Sequence, residues 1–131
     1  MPSIHGCEHA DRTEGTLVII DSHTHIDEAG FWVDPPEAIL RLMGEAGIDQ
    51  AVVMTYRDAP LPGSADPLEY VADACQRYPR LIGYARMNPH YGDQAVRELE
   101  RGFRDLGMKG LKLHPVSYVM HPASEETLAL I

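Results

Sequence analysis

The clearest chemical potential in the chain lies in Ile19-Ile20-Asp21-Ser22-His23-Thr24-His25. Side chains on an extended strand alternate between faces, so His23 and His25 are expected to point the same way, together with Asp21. Two neutral imidazoles at that spacing can both give a ring nitrogen to one divalent metal. The plainer reading is two polar loop histidines that happen to stand two apart. The preceding Leu17-Val18-Ile19-Ile20 run separates the two, because it is purely aliphatic and reads as a buried strand. The carboxyl end of such a strand is where parallel α/β folds build their sites.

A second constellation is Gly110-Leu111-Lys112-Leu113-His114-Pro115. The two leucines share one strand face, and Lys112 with His114 share the other. A lysine facing an interior is costly unless paired or neutralised. Lys112 and His114 are the candidate catalytic residues; a Lys112 held structurally by a strand carboxylate such as Asp21 is the alternative. Arg57, Arg86 and Tyr56 end later strands. The two arginines are candidate substrate-binding residues, since guanidinium matches a carboxylate bidentately, although surface salt bridging would also explain them. His90 reads as a solvated loop residue, His121 as part of a loop that could cover the site, and His5, Cys7 and His9 as an accidental trio in the leader.

These side chains need elements to position them. Residues 1–15 have no apolar periodicity and read as a flexible leader, leaving 16–131 as one domain. Four β-rich segments follow: Leu17–Asp21, Gln50–Thr55, Leu81–Arg86 and Gly110–His114. Their starts, at about 17, 50, 81 and 110, fit a strand, a crossover helix and two loops, so the strands should be parallel. Helical spacing links Ile39, Leu42, Met43 and Ala46; then Leu68, Val71, Ala72 and Cys75; then Val96, Leu99, Phe103 and Leu106. Asp34-Pro35-Pro36-Glu37 and Asp66-Pro67-Leu68-Glu69 predict an Asp N-cap followed by a first-turn proline. Gly47 and Gly107 sit where left-handed C-terminal residues belong, and Ser124-Glu125-Glu126 predicts a fourth helix start.

Composition removes several function classes. A net charge of −9 repels phosphate backbones, which argues against nucleic acid as a partner. No apolar run approaches the ~20 residues of a membrane span, and no secretory signal is visible. Two cysteines make no disulfide framework, which fits a reducing cytoplasm. The expected partner is a small-molecule substrate, and a homo-oligomer is compatible with the sequence.

With these motifs in hand, the segment IIDSHTHID and the following DPPEAILRLMGEAGIDQAVVM resemble the opening of the amidohydrolase superfamily. The later GMKGLKLHP resembles its amidohydrolase-related branch, which includes aminocarboxymuconate-semialdehyde decarboxylase. The resemblance implies a metal-dependent (β/α)8 barrel that hydrolyses or non-oxidatively decarboxylates small carboxylate, lactone or amide substrates. It maps one divalent metal, Zn2+ first and Mn2+ second, onto His23 and His25. It also puts His114 at the barrel mouth and Lys112 one layer below; some branches carbamylate a fourth-strand lysine.

The expected fold is therefore the first four βα units of a TIM-type barrel. The apolar, uncapped Leu128-Ala129-Leu130-Ile131 ending makes a fragment the expectation, with activity belonging to a longer parent. The competing readings are a non-catalytic flavodoxin-like open sheet with Asp21 as a receiver-like acid, or a half-barrel that self-associates. A receiver needs a second acid after the third strand, where Ala85-Arg86-Met87 stands.

Overall fold

The computed structural model describes residues 17–131. The leader, with His5, Cys7 and His9, lies outside the described residues. Four strands form the main sheet: β1 (Ile20–His25), β4 (Gln50–Met54), β5 (Leu81–Arg86) and β6 (Gly110–Lys112). Their order is β1-β4-β5-β6, and every neighbouring pair is parallel. Between β1 and β4 stands a short antiparallel hairpin, β2 (Asp27–Ala29) with β3 (Trp32–Asp34).

Three helices cross between the main strands: α1 (Pro36–Ala46), α2 (Pro67–Arg77) and α3 (Asp93–Arg104). Their apolar faces meet one side of the sheet. Met43, Leu68, Val71, Ala74, Ala95 and Leu99 form one buried cluster with Ala51, Val53, Leu81 and Ala85. Strands in chain order with helices on a single face describe consecutive units of a barrel. A doubly wound sheet reverses its strand order and carries helices on both faces, so the flavodoxin-like alternative is excluded. The remaining elements are a 3-10 turn (Pro89–Tyr91) and the one-turn helices α4 (Pro115–Tyr118) and α5 (Glu125–Leu128).

Local chemistry explains most boundaries. Asp66 caps α2, its Oδ1 accepting from the N–H groups of Leu68 and Glu69, and Pro67 occupies the first turn. Ser124 caps α5 as expected. Gly47 ends α1 in the left-handed region (φ 69°), and Ile48 N–H reaches back to the Met43 carbonyl. Gly83 in β5 lets α2 approach the sheet: a Cβ there would lie 3.0 Å from Val71 and 3.1 Å from Cys75.

Three expectations are corrected. Asp34 does not cap α1; the N-cap is Pro35, with no side-chain bond, because Asp34 precedes a proline and stays extended as the last residue of β3. The first strand begins at Ile20 rather than Leu17, since pairing with β4 starts at Ile20↔Gln50, and it runs through His25. Finally, Asp21 does not share a face with the histidines. The β1–β4 register passes from Asp21↔Ala51 to Thr24↔Val53, so β1 spends one extra residue there in a bulge. Asp21 and Thr24 consequently line the groove against Ile39, Leu42 and Met43 of α1, while His25 stands level with Met54 on the helix-free face.

Candidate metal centre

The bulge is held by Asp21 itself, whose Oδ1 accepts from the His23 backbone N–H at 3.0 Å. Downstream of it, His23 and His25 converge, with their Nε2 atoms 3.2 Å apart. At the Zn–N distance of 2.0–2.1 Å, that separation subtends about 100° at a shared ion, between octahedral and tetrahedral values. The His25 Nδ1 lies 3.3 Å from the Thr55 carbonyl oxygen. An Nδ1–H donated there leaves Nε2 as the free lone pair, the tautomer a metal ligand requires. Burial, above all, holds the His25 pKa below the ordinary imidazole value. The Thr55 bond opposes this, while His23, Arg86 and Lys112 add to the lowering. His25 is thus kept neutral and aimed. Among the described residues no third His, Cys, Asp or Glu joins the pair.

The cationic side chains have different surroundings. Arg57 is buried, with Nε on Asp27 Oδ1 at 3.0 Å and Nη1 on the carbonyls of Ala59 and Ala65 at 3.4 and 2.9 Å. Its guanidinium ties loops together and is neither a surface salt bridge nor directed to the histidines. Arg86 stands beside Lys112 in the β5–β6 register, on the His25 face. Its Nε donates to the Tyr118 hydroxyl at 2.9 Å, and the guanidinium lies 5.6 Å from that ring's centroid. The terminal amino groups make no hydrogen bond among the described residues.

Lys112 and His114 point away from Leu111 and Leu113, which pack on the core cluster. His114 Nδ1 accepts the Ser117 N–H at 3.1 Å and caps α4. The neutral ring therefore carries its proton on Nε2, as a hydrogen-bond donor. His90 is more than a solvated residue, since its Nε2 lies 2.8 Å from the Tyr118 carbonyl oxygen. His121 Nδ1 accepts the Ala123 N–H in a local turn.

Several site residues escaped sequence reasoning. Tyr118 is one. Another is the aromatic stack His25–Tyr56–Trp32, with ring centroids 4.4 and 5.8 Å apart and interplanar angles of 11° and 14°. The signal for the hairpin carrying Trp32 was present in Ala29-Gly30-Phe31-Trp32: a two-residue Gly-X turn, with Gly30 at φ 63°.

The amidohydrolase family profile matches residues 20–126. The chain belongs to the amidohydrolase family. Among solved structures, this amidohydrolase chain is similar to 5-carboxyvanillate decarboxylase from Novosphingobium aromaticivorans, with bound manganese and 3-methoxy-4-hydroxy-5-nitrobenzoic acid. Identity is 28% and the TM-score 0.58, over 70% of this chain and 29% of that one. A probable 2-pyrone-4,6-dicarboxylic acid hydrolase from Acinetobacter baumannii with citric acid bound shares the fold at 16% identity and TM-score 0.58, over 87% and 44% of the two chains. So does 2,6-dihydroxybenzoate decarboxylase complexed with 2,6-dihydroxybenzoate, at 23% and 0.50, over 72% and 37%. The chain thus spans less than half the length of each. Comparison with curated proteins gives no match. No helix among the described residues is long and apolar enough to cross a membrane. The general kind is set: a partial barrel from a family of metal-dependent decarboxylases and hydrolases.

Proposed function

We propose that this chain supplies two metal ligands and a carboxylate-binding edge to a divalent-metal-dependent enzyme acting on a small carboxylic acid. Non-oxidative decarboxylation stands ahead of hydrolysis, because the 28%-identical neighbour is a decarboxylase. His23 and His25 would hold the ion, and the observation that carries the reading is their 3.2 Å Nε2 separation with His25 oriented by Thr55. Zn2+ suits two imidazoles; Mn2+ is supported by the manganese in that neighbour. When bound, the ion would polarise a substrate oxygen or lower the pKa of a water.

The chain's own residues perform the remaining work. Arg86, with Nε taken by Tyr118, has its terminal N–H groups available for a substrate carboxylate. Lys112 adds positive charge on the same face, and His114 offers Nε2–H to a substrate oxygen. Arg57 serves the scaffold in this assignment. The test is elemental analysis of the chain dialysed against zinc or manganese, with His23→Ala and His25→Ala compared. The expected result is metal retained by the parent sequence and lost in both variants. Undiminished metal in the double variant would overturn the assignment.

A further inference from the structure

We propose that Tyr56 is a positioning residue for His25, an aromatic plate that keeps the imidazole turned so that Nε2 faces His23; this rests on the metal reading above. An imidazole ring turns broadly about its last torsion unless something blocks it. Apart from its 3.2 Å approach to His23 Nε2, the only hydrogen bond of the His25 ring in the described residues is the 3.3 Å contact to Thr55. Tyr56 supplies the missing restraint, because its ring lies parallel to His25 at 4.4 Å and 11°. Any turn of the imidazole would drive an edge into the tyrosine face.

A plate can position another ring only if it is fixed itself, and Tyr56 is fixed at three places. Its backbone N–H donates to Asp27 Oδ2 at 3.2 Å. Its hydroxyl lies beside the Asp34 carboxylate. Trp32 backs it at 5.8 Å and 14°, and Phe31 braces Trp32 at 4.4 Å. All four of these side chains come from one hairpin or its turn.

The hairpin's construction argues independently for this role. Asp27 and Asp34 are directly opposed in its antiparallel register. Like charges across a strand pair are destabilising, so this placement costs the hairpin stability. Each carboxylate is matched to one end of Tyr56, and Asp27 also takes Arg57. The two acids that weaken the hairpin in isolation are those that clamp the tyrosine against the histidine.

The experiment is a zinc titration of the full chain, followed through the imidazole resonances of His23 and His25, for the parent sequence, Tyr56→Leu, Tyr56→Phe and Trp32→Ala. Tyr56→Leu is expected to remove the upfield ring-current shift of the His25 ring protons and to weaken zinc binding about 10- to 100-fold, the usual range for loss of an orienting neighbour. Tyr56→Phe, which keeps the plate, should preserve the shift and most of the affinity. Trp32→Ala removes only the backing and should give a smaller loss of the same sign; it remains decisive if Tyr56→Leu fails to fold. Parent-like zinc affinity in a folded Tyr56→Leu or Trp32→Ala variant whose His25 shift has moved would overturn the positioning role. Absence of zinc-dependent shifts at His23 and His25 in the parent sequence would overturn the metal reading, and the present inference with it.

Discussion

Asp27 and Arg57 form a buried ion pair, 3.0 Å between Oδ1 and Nε, with side chains 0% and 5% exposed. It joins the residue two beyond His25 to the loop after β4, at the end of the sheet where the histidines converge. Both charges are saturated: Asp27 also accepts the Tyr56 N–H, and Arg57 also holds two loop carbonyls. Removing one partner of such a pair leaves the other charge buried and unpaired, at a cost of about 3–5 kcal/mol. Asp27→Asn is therefore expected to lower the urea midpoint well beyond an Arg41→Gln control, whose i,i+4 partner Glu45 is exposed. Equal midpoints would show that the pair is not structural.

Tyr118 gives a pH prediction. Burial foremost, and then Asp58, push its phenol up to about 12, against the pull of Arg86. A raised folded value means that the neutral form is preferred, so stability is intact below the unfolded phenol value near 10. It declines as pH rises from there towards 12. Ultraviolet titration of the parent minus Tyr118→Phe should isolate one late-ionising tyrosine. A difference curve centred near 10 would contradict the burial of the Tyr118 phenol.

Gly83 faces Val71, Cys75 and Met108 at distances that leave no room for a methyl group. Gly83→Ala is expected to destabilise by about 1–3 kcal/mol through overpacking, read as a lowered thermal midpoint. Gly63, with open space around it and φ 76°, offers a comparison in which an alanine strains only the backbone.

Cys75 shares that packed seam. Burial pushes its thiol up to about 11, so little thiolate exists at neutral pH. Iodoacetamide should label Cys75 slowly in the folded chain at pH 8 and rapidly in denaturant, as followed by peptide mass mapping. Comparable rates in both would show that α2 does not cover the thiol.

The repeated units were legible because each depends on short-range chemistry. Asp66-Pro67 announces α2, Gly47 ends α1, and the Leu111/Leu113 alternation shows which way Lys112 and His114 face. The histidine pair was legible for the same reason. What stayed hidden depends on long-range pairing. Whether Arg57 meets solvent or Asp27 is decided by a contact 30 residues apart, and Tyr118 reaches Arg86 across 32. Asp34 misled because its Asp-Pro-Pro setting imitates a cap, while the following proline keeps it extended at the end of β3, beside Tyr56. Asp21 misled because period-two counting assumes an unbroken pleat.

That break divides β1 into two stretches that are out of phase. Upstream, the residue facing outward serves the α1 groove; downstream, after one residue has been absorbed, the inward face is handed to His23 and His25. The strand behaves as two short words with a spacer between them. Selection for packing can edit the first without rotating the second, and deletion of Ser22 would remove only the spacer, leaving Asp21 and Thr24 on the α1 side of a uniform pleat and His23 and His25 together on the other.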